Sequence, residues 1–308
     1  IGFVHHTPEL AEAYVRCVEQ TLAEFGDKPL GGLKIVMDCA NGAAYHLAPH
    51  IFTDLGAEVT VLSDSPNGVN INTDCGSTHT RAMREKTKEV GADVGVAFDG
   101  DADRVMLSDH EGNEVDGDQM MALIALYLKR KEKLTGNTVV ATIMSNLGLE
   151  MALKAEGVRL VRTKVGDRYV SQAMDELGAV VGGEQSGHIL LPDITPTGDG
   201  MVTALLVIAL VHETGKSLQE LAGVVQKYPR KLVGLKVKDR TGWDKDPDIQ
   251  NAIKNAEARF ADPIWLSVRA SGTEPLIRVM AQEESQQLVD EVVAELTEVI
   301  YRKLGKAE

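Results

Sequence analysis

A chain of 308 residues exceeds what one ordinary core organises, so two or three domains are expected. Its 44% hydrophobic and 25% charged content is that of a globular protein, and a formal net charge of −14 argues against nucleic acid and anionic membranes as partners. Cys17, Cys39 and Cys75 are few, far apart and odd in number, which excludes a disulfide framework and fits a reducing, cytoplasmic compartment.

The start, Ile-Gly-Phe-Val-His-His, has no initiator Met, basic n-region or signal-type apolar run, and reads as a cut. Thr7-Pro8-Glu9 then opens a helix, with Thr as N-cap, Pro in the first turn and apolar residues at helical spacing through Leu22. After the turn at Lys28–Gly32, the pattern predicts strands at Leu33–Met37 and Val59–Leu62, a helix at Thr80–Val90 and a strand at Val94–Phe98. The rhythm repeats: a helix at Gly117–Lys129, a strand at Thr138–Ile143, a helix at Leu149–Ala155, and strands at Leu160–Val161 and Ala179–Val181. Met201–Val211 is the longest apolar run, about half a bilayer span, and reads as a buried helix. Beyond Tyr228-Pro229 the character changes. Strands are predicted at Lys231–Val237, Ile264–Val268 and Leu276–Ala281, and Leu288, Val292, Leu296, Val299 and Ile300 mark one face of a C-terminal helix. The expected architecture is α/β: two consecutive β/α domains, 1–108 and 109–226, followed by a small α+β domain, 227–308.

The most informative segment is Phe98-Asp99-Gly100-Asp101-Ala102-Asp103-Arg104-Val105. Three carboxylates at i, i+2 and i+4 lie between two β-type runs, and the small Gly100 and Ala102 let the loop curl so that they converge. Converging carboxylates repel unless a cation sits among them, and all-oxygen ligation suits Mg²⁺. An EF-hand starting at Asp99 fails, because Arg104 and His110 occupy the positions that need Gly and Glu. A phosphatase with an Asp-x-Asp nucleophile would carry Thr or Val where Asp103 stands. A plain solvated turn is the bland alternative.

Three further loops carry chemistry. Gly182-Gly-Glu184-Gln185-Ser186-Gly187-His188 offers donors and acceptors suited to sugar hydroxyls, or is an ordinary Gly-rich turn. In Arg269-Ala-Ser271-Gly272-Thr273-Glu274-Pro-Leu-Ile-Arg278, a reversal at Gly272–Glu274 would place Arg269 and Arg278 opposite each other as a phosphate clamp; two surface arginines on a hairpin are the alternative. Thr163-Lys164-Val-Gly166-Asp167-Arg168 puts a cation at a strand-to-helix junction, where Lys164 is either a proton-transfer or phosphate group or an ordinary exposed lysine. Gly215-Lys216-Ser217 is no Walker loop, and His46, His79, His110 and His212 show no ligand spacing.

These loops, in this order, resemble those of the α-D-phosphohexomutase superfamily. Asp38-Cys-Ala-Asn-Gly-Ala-Ala44, Asn70-Ile-Asn-Thr-Asp-Cys-Gly-Ser-Thr-His79 and Lys164-Val-Gly-Asp-Arg-Tyr-Val170 extend the likeness toward its phosphoglucosamine mutase branch. The resemblance covers essentially the whole chain as that family's domains two to four. It implies interconversion of glucosamine 6-phosphate and glucosamine 1-phosphate through a bisphosphate and an enzyme phosphoserine, on the route to UDP-N-acetylglucosamine. By resemblance, Asp99, Asp101 and Asp103 would hold Mg²⁺, and Arg104 would assist the phosphoryl group. Glu184 and Ser186 would hold sugar hydroxyls, Arg269, Ser271, Gly272, Thr273 and Arg278 the other phosphate, and Lys164 or His188 would shuttle the proton. The family's Ser-His-Asn-Pro loop has no counterpart, since no Ser-His dipeptide occurs in the 308 residues. The expectation is therefore a chain without the N-terminal phosphoserine domain and without turnover alone, for which a homodimer is compatible. A phosphoglucomutase or phosphomannomutase of the same superfamily, and a non-catalytic sugar-phosphate-binding module, are the alternatives.

Overall fold

A computed structural model describes residues 7–260, 265–271 and 274–305, which fall into two compact units: 7–145 with 149–225, and 146–148 with the described residues from 226 onward. Gly272, Thr273 and Ile264, to which the sequence reading gave a role or a strand position, lie outside the described residues.

The first unit opens with α1 (Pro8–Thr21), whose Pro stands in the first turn as expected; Thr7 sits at the N-cap but its side chain makes no capping bond. β1 (Lys34–Asp38), α2 (Ala44–Asp54), β2 (Glu58–Leu62), α3 (Arg81–Val90), β3 (Val94–Phe98), β4 (Val105–Asp109) and β5 (Glu114–Val115) follow. They build a sheet of order β2-β1-β3-β4-β5, parallel across its first three strands and antiparallel thereafter. Every residue of β3 and β4 is buried, as expected for continuous apolar runs covered on both faces.

α4 (Gly117–Arg130) starts in a capping box, Asp116 with Gln119, and leads into β6 (Thr138–Thr142), α5 (Leu147–Ala155), β7 (Arg159–Thr163), α6 (Asp167–Leu177), β8 (Gly182–Gly183) and β9 (Ile189–Leu190). The second sheet runs β7-β6-β8-β9, again with parallel pairs followed by one antiparallel pair. The strand expected at Ala179–Val181 is displaced: pairing falls on Gly182–Gly183, and Val181 contributes only its carbonyl, to the Val140 amide. α7 (Gly200–Thr214) has no polar stripe, and residues 200–211 are all buried. The apolar run is thus a core helix, and no helix of the described residues is long and apolar enough to cross a membrane. α7 shares one hydrophobic cluster with α1, α4, β3 and β4, so the two sheets of this unit share a core. The short α8 (Leu218–Ala222) closes the unit behind a Ser217–Glu220 capping box.

In the second unit, β10 (Arg230–Lys236), α9 (Pro247–Glu257), β11 (Leu266–Ala270), β12 (Leu276–Gln282) and α10 (Gln286–Leu304) form an antiparallel sheet of order β10-β12-β11 under two helices. Val289, Val292, Val293, Leu296 and Ile300 are the buried stripe of α10, packed with Ile249 of α9 and Ile277 and Val279 of β12.

Candidate functional site

The acidic loop is the connection of the β3–β4 hairpin. Ala102 takes a left-handed φ of 61°, and its N–H donates to the Asp99 carbonyl at 3.2 Å, folding the segment back on itself. One oxygen from each of Asp99, Asp101 and Asp103 then lies within 4.8 Å of the others. The curl expected from Gly100 and Ala102 is the one that forms. Asp99 is buried, Asp103 half-buried and Asp101 exposed, so the cluster has a closed floor and an open mouth.

Burial pushes the Asp99 carboxyl above its ordinary range, and the Asp103 charge adds to this; bonds and charge from Arg104 partly offset both. The Arg104 Nε donates to Asp99 at 2.6 Å and lies 3.4 Å from Asp103. This guanidinium balances charge that would otherwise oppose folding of the loop. A hard divalent cation fits the same donor set. Octahedral Mg²⁺, with oxygens at about 2.1 Å, places neighbouring ligands about 3.0 Å apart. The three oxygens, within 4.8 Å of one another, would have to draw closer to reach that spacing, and Arg104 would have to share or release Asp99.

The loop 184–188 is the β8–β9 connection and lies directly on the acidic hairpin. Val105 N–H donates to the Gly187 carbonyl at 3.2 Å, Gly117 N–H to the Gln185 carbonyl at 3.1 Å, and the His188 Nδ1 is 3.2 Å from Asp103 Oδ2. Gly187 has φ 90°, and a Cβ there would stand 1.9 Å from the Val105 carbonyl oxygen; only glycine permits this approach. Glu184 accepts the Gly166 N–H at 3.1 Å and the Ser186 hydroxyl at 3.4 Å, which ties the Lys164–Gly166 turn to the same loop. Lys164 itself is exposed, its Nζ 5.9 Å from the Tyr169 ring centroid. Asp99, Asp101, Asp103, Arg104 and His188 are therefore gathered at the acidic hairpin, with Glu184 and Ser186 on the loop whose backbone bonds to it and Lys164 joined through its neighbouring backbone.

In the second unit Arg269 and Arg278 are register partners across β11 and β12, as the hairpin count predicted. Burial and then the like charge of Arg278 hold the Arg269 pKa down, an electrostatic stress that a bound anion would relieve. Arg278 also reaches Glu274 at 3.4 Å. Buried Ser271 accepts the Glu274 N–H at 3.4 Å, so its hydroxyl shapes the turn.

Two supporting residues were given no role by the sequence: Asp38, noted there within the Asp38–Ala44 motif, and Arg240. Asp38, fully buried at the end of β1, accepts the Ala40 and Gly76 amides at 2.9 Å each and so binds the 38–44 loop to the 70–79 loop. The first of these cradles the acidic hairpin, because Ala43 N–H donates to the Gly100 carbonyl at 2.8 Å. A buried Asp at a strand end followed by two left-handed residues, Ala40 and Asn41, is its signature. Arg240 donates to the Ser271 and Glu274 carbonyls and braces the arginine hairpin from outside, a role no local pattern announces.

Comparison with known proteins divides the chain into three matched parts. Residues 12–112, 116–228 and 232–299 match, respectively, the phosphoglucomutase/phosphomannomutase alpha/beta/alpha domain II, alpha/beta/alpha domain III and C-terminal domain. Among curated relatives, phosphoglucosamine mutase of Cutibacterium acnes is 45% identical over 305 residues, 99% of this chain and 67% of that protein. That of Acetivibrio thermocellus is 48% identical over 294 residues, 95% of this chain and 65% of that protein. The chain thus spans about two thirds of the length of the relatives it matches. Among solved structures, Aspergillus fumigatus N-acetylphosphoglucosamine mutase in complex with GlcNAc-6P and magnesium superposes with a TM-score of 0.75 at 20% identity, over 94% of this chain and 70% of that one. A phosphoglucomutase/phosphomannomutase family protein of Burkholderia thailandensis gives 0.76 at 22%, over 97% and 66%. At these identities the structures speak for the fold alone.

Proposed function

Because the chain belongs to the phosphoglucomutase/phosphomannomutase family, we propose that it forms the metal-, sugar- and phosphate-binding part of a phosphoglucosamine mutase. The observation that carries this is the Asp99–Asp101–Asp103 cluster, stitched by backbone bonds to a loop bearing Glu184, Ser186 and His188. Mg²⁺ held by the three aspartates would neutralise charge on a transferring phosphoryl group. Arg104, already paired with Asp99 and Asp103, stands ready to donate to phosphoryl oxygens when those carboxylates are otherwise engaged. Glu184 and Ser186 accept from and donate to sugar hydroxyls, and the half-buried Arg269 and Arg278, with Ser271, Gly272 and Thr273, hold the phosphate that is not reacting. Either His188, whose Nδ1 faces Asp103, or exposed Lys164 carries the proton in this reading. No Ser-His dipeptide of the kind the family resemblance assigns to the phosphoserine occurs in the chain, so binding without turnover is expected.

Calorimetric titration tests the reading. Mn²⁺ and glucosamine 6-phosphate should both bind, and Asp101→Asn should weaken Mn²⁺ at least about tenfold while leaving the melting temperature unchanged. Failure of the wild-type chain to bind either probe refutes it. Comparing glucosamine, glucose and mannose 6-phosphates separates the amino-sugar assignment from a phosphoglucomutase or phosphomannomutase.

A further inference from the structure

We propose that Tyr14 and Asp199 are positioning residues for the acidic loop, coupling the first helix of the chain to its metal-binding geometry; this rests on the metal-loop reading above. The two residues are 185 positions apart, yet the Tyr14 hydroxyl donates to the Asp199 carboxylate, 2.9 Å from Oδ2 and 3.1 Å from Oδ1. Asp199 is the N-cap of α7, and its Oδ1 accepts the Met201 and Val202 amides at 2.9 and 3.0 Å. A cap needs only one carboxylate oxygen. With the cap bonds on Oδ1 and Tyr14 nearest the other oxygen, the carboxylate is fixed in its plane, and the flanking backbone with it.

That backbone is Gly198-Asp199-Gly200, wedged between the two halves of the site. The Gly200 N–H donates to the Ala102 carbonyl at 2.9 Å, at the left-handed residue between Asp101 and Asp103. A Cβ on Gly200 would lie 2.7 Å from the Arg104 carbonyl oxygen, and one on Gly198 would lie 2.3 Å from the His188 ring. The same ring stands 3.2 Å from Asp103. A shift of this turn therefore moves the acidic loop through Ala102 and the imidazole through Gly198 together. Tyr14 anchors the turn to α1, which packs on the shared core through Tyr14, Val15 and Val18. The tyrosine ring supplies packing, whereas the hydroxyl supplies orientation.

Tyr14→Phe separates these roles, since it keeps the ring and removes only the hydroxyl. Three readouts are taken on the full chain: amide exchange of residues 99–104, the Mn²⁺ dissociation constant, and the melting temperature. Exchange in that segment should quicken about tenfold and the Mn²⁺ constant rise about five- to tenfold, the scale of a lost outer-shell partner, with the melting temperature little changed. Asp199→Asn, which keeps a capping oxygen, should move the first two readouts in the same direction. Thr21→Ala, on the same helix with its hydroxyl bonded, among the described residues, to the Cys17 carbonyl alone, should move neither. Lower melting temperature with unaltered exchange and Mn²⁺ affinity in both Tyr14→Phe and Asp199→Asn overturns the proposal, as does no effect at all. Absence of Mn²⁺ binding in the wild type sinks the metal reading instead, and the exchange readout still decides whether Tyr14 orders the loop.

Discussion

Gly187→Ala tests whether the two site loops depend on backbone contact. Glycine at φ 90° allows the Val105 N–H to reach the Gly187 carbonyl at 3.2 Å, and a Cβ would lie 1.9 Å from the Val105 oxygen. Three costs add. Holding an L-residue in the left-handed region takes about 1–2 kcal/mol. Relieving the overlap means opening the contact by more than about 1 Å, and this leaves one or two buried backbone groups unpaired at about 1–3 kcal/mol each. The total is about 2–8 kcal/mol, and at about 2–4 °C per kcal/mol for a unit of this size its midpoint corresponds to a fall of about 15 °C in the melting temperature. Gly26 supplies the control: it has the same φ of 90° and nothing within 4 Å of a built Cβ, so Gly26→Ala reports the backbone cost alone, about 5 °C. Differential scanning calorimetry of both variants isolates the overlap, and Mn²⁺ titration of Gly187→Ala should show weakened binding because His188 and Val105 move with the loop. A Gly187→Ala variant no less stable than Gly26→Ala would refute the claim that this approach joins the loops.

The remaining predictions use other parts of the chain. Burial pushes the Cys39 thiol up to about 12 and raises Cys75 too, so at pH 8 the Cys39 thiolate fraction is about one in ten thousand; a disulfide reagent should label exposed Cys17 quickly and the other two only on unfolding. The bond from Lys303 holds the Asp248 carboxyl below its ordinary range, so its stabilising share is present above the unfolded pKa and lost as pH falls through the lower folded value; Lys303→Met should flatten the acid limb of a stability-versus-pH curve for the second unit. Arg240→Ala removes the donor to the Ser271 and Glu274 carbonyls and should weaken binding of inorganic phosphate several-fold, measured by calorimetry, if the arginine hairpin is an anion site.

Much of this site was legible because its parts are local. Three aspartates two residues apart, flanked by apolar runs, converge through one left-handed residue, and the opposition of Arg269 and Arg278 follows from counting outward from a turn. Elements with unusual composition were not legible. α2 has Pro49 in its interior, α9 is largely polar, and neither was anticipated, since the proline and the charges hide the helical stripe. β8 is two glycines, and the β propensity of Val180 and Val181 drew the expectation upstream of the true pairing. Tyr14, Asp38 and Arg240 act on partners distant in sequence or on backbone carbonyls, which leave no periodic trace. Asp199 did leave one, because Asp before Gly and a long apolar run is an N-cap signal.

The two sheets of the first unit explain why the site loops recur at intervals. Each has a parallel trio whose first strand is central, β1 in one and β6 in the other, followed by an antiparallel neighbour. The acidic loop joins β3 to β4 and the 184–188 loop joins β8 to β9, so both occupy the same topological position. Each is the hairpin where the chain leaves the parallel part of its sheet. What the second copy adds is glycine. Gly182 and Gly183 form its third strand, and Gly187 and Gly198 let its loop and His188 approach the acidic hairpin more closely than any side chain would allow. The first hairpin supplies the carboxylates, and the second owes the approach of its loop and of His188 to glycine backbone.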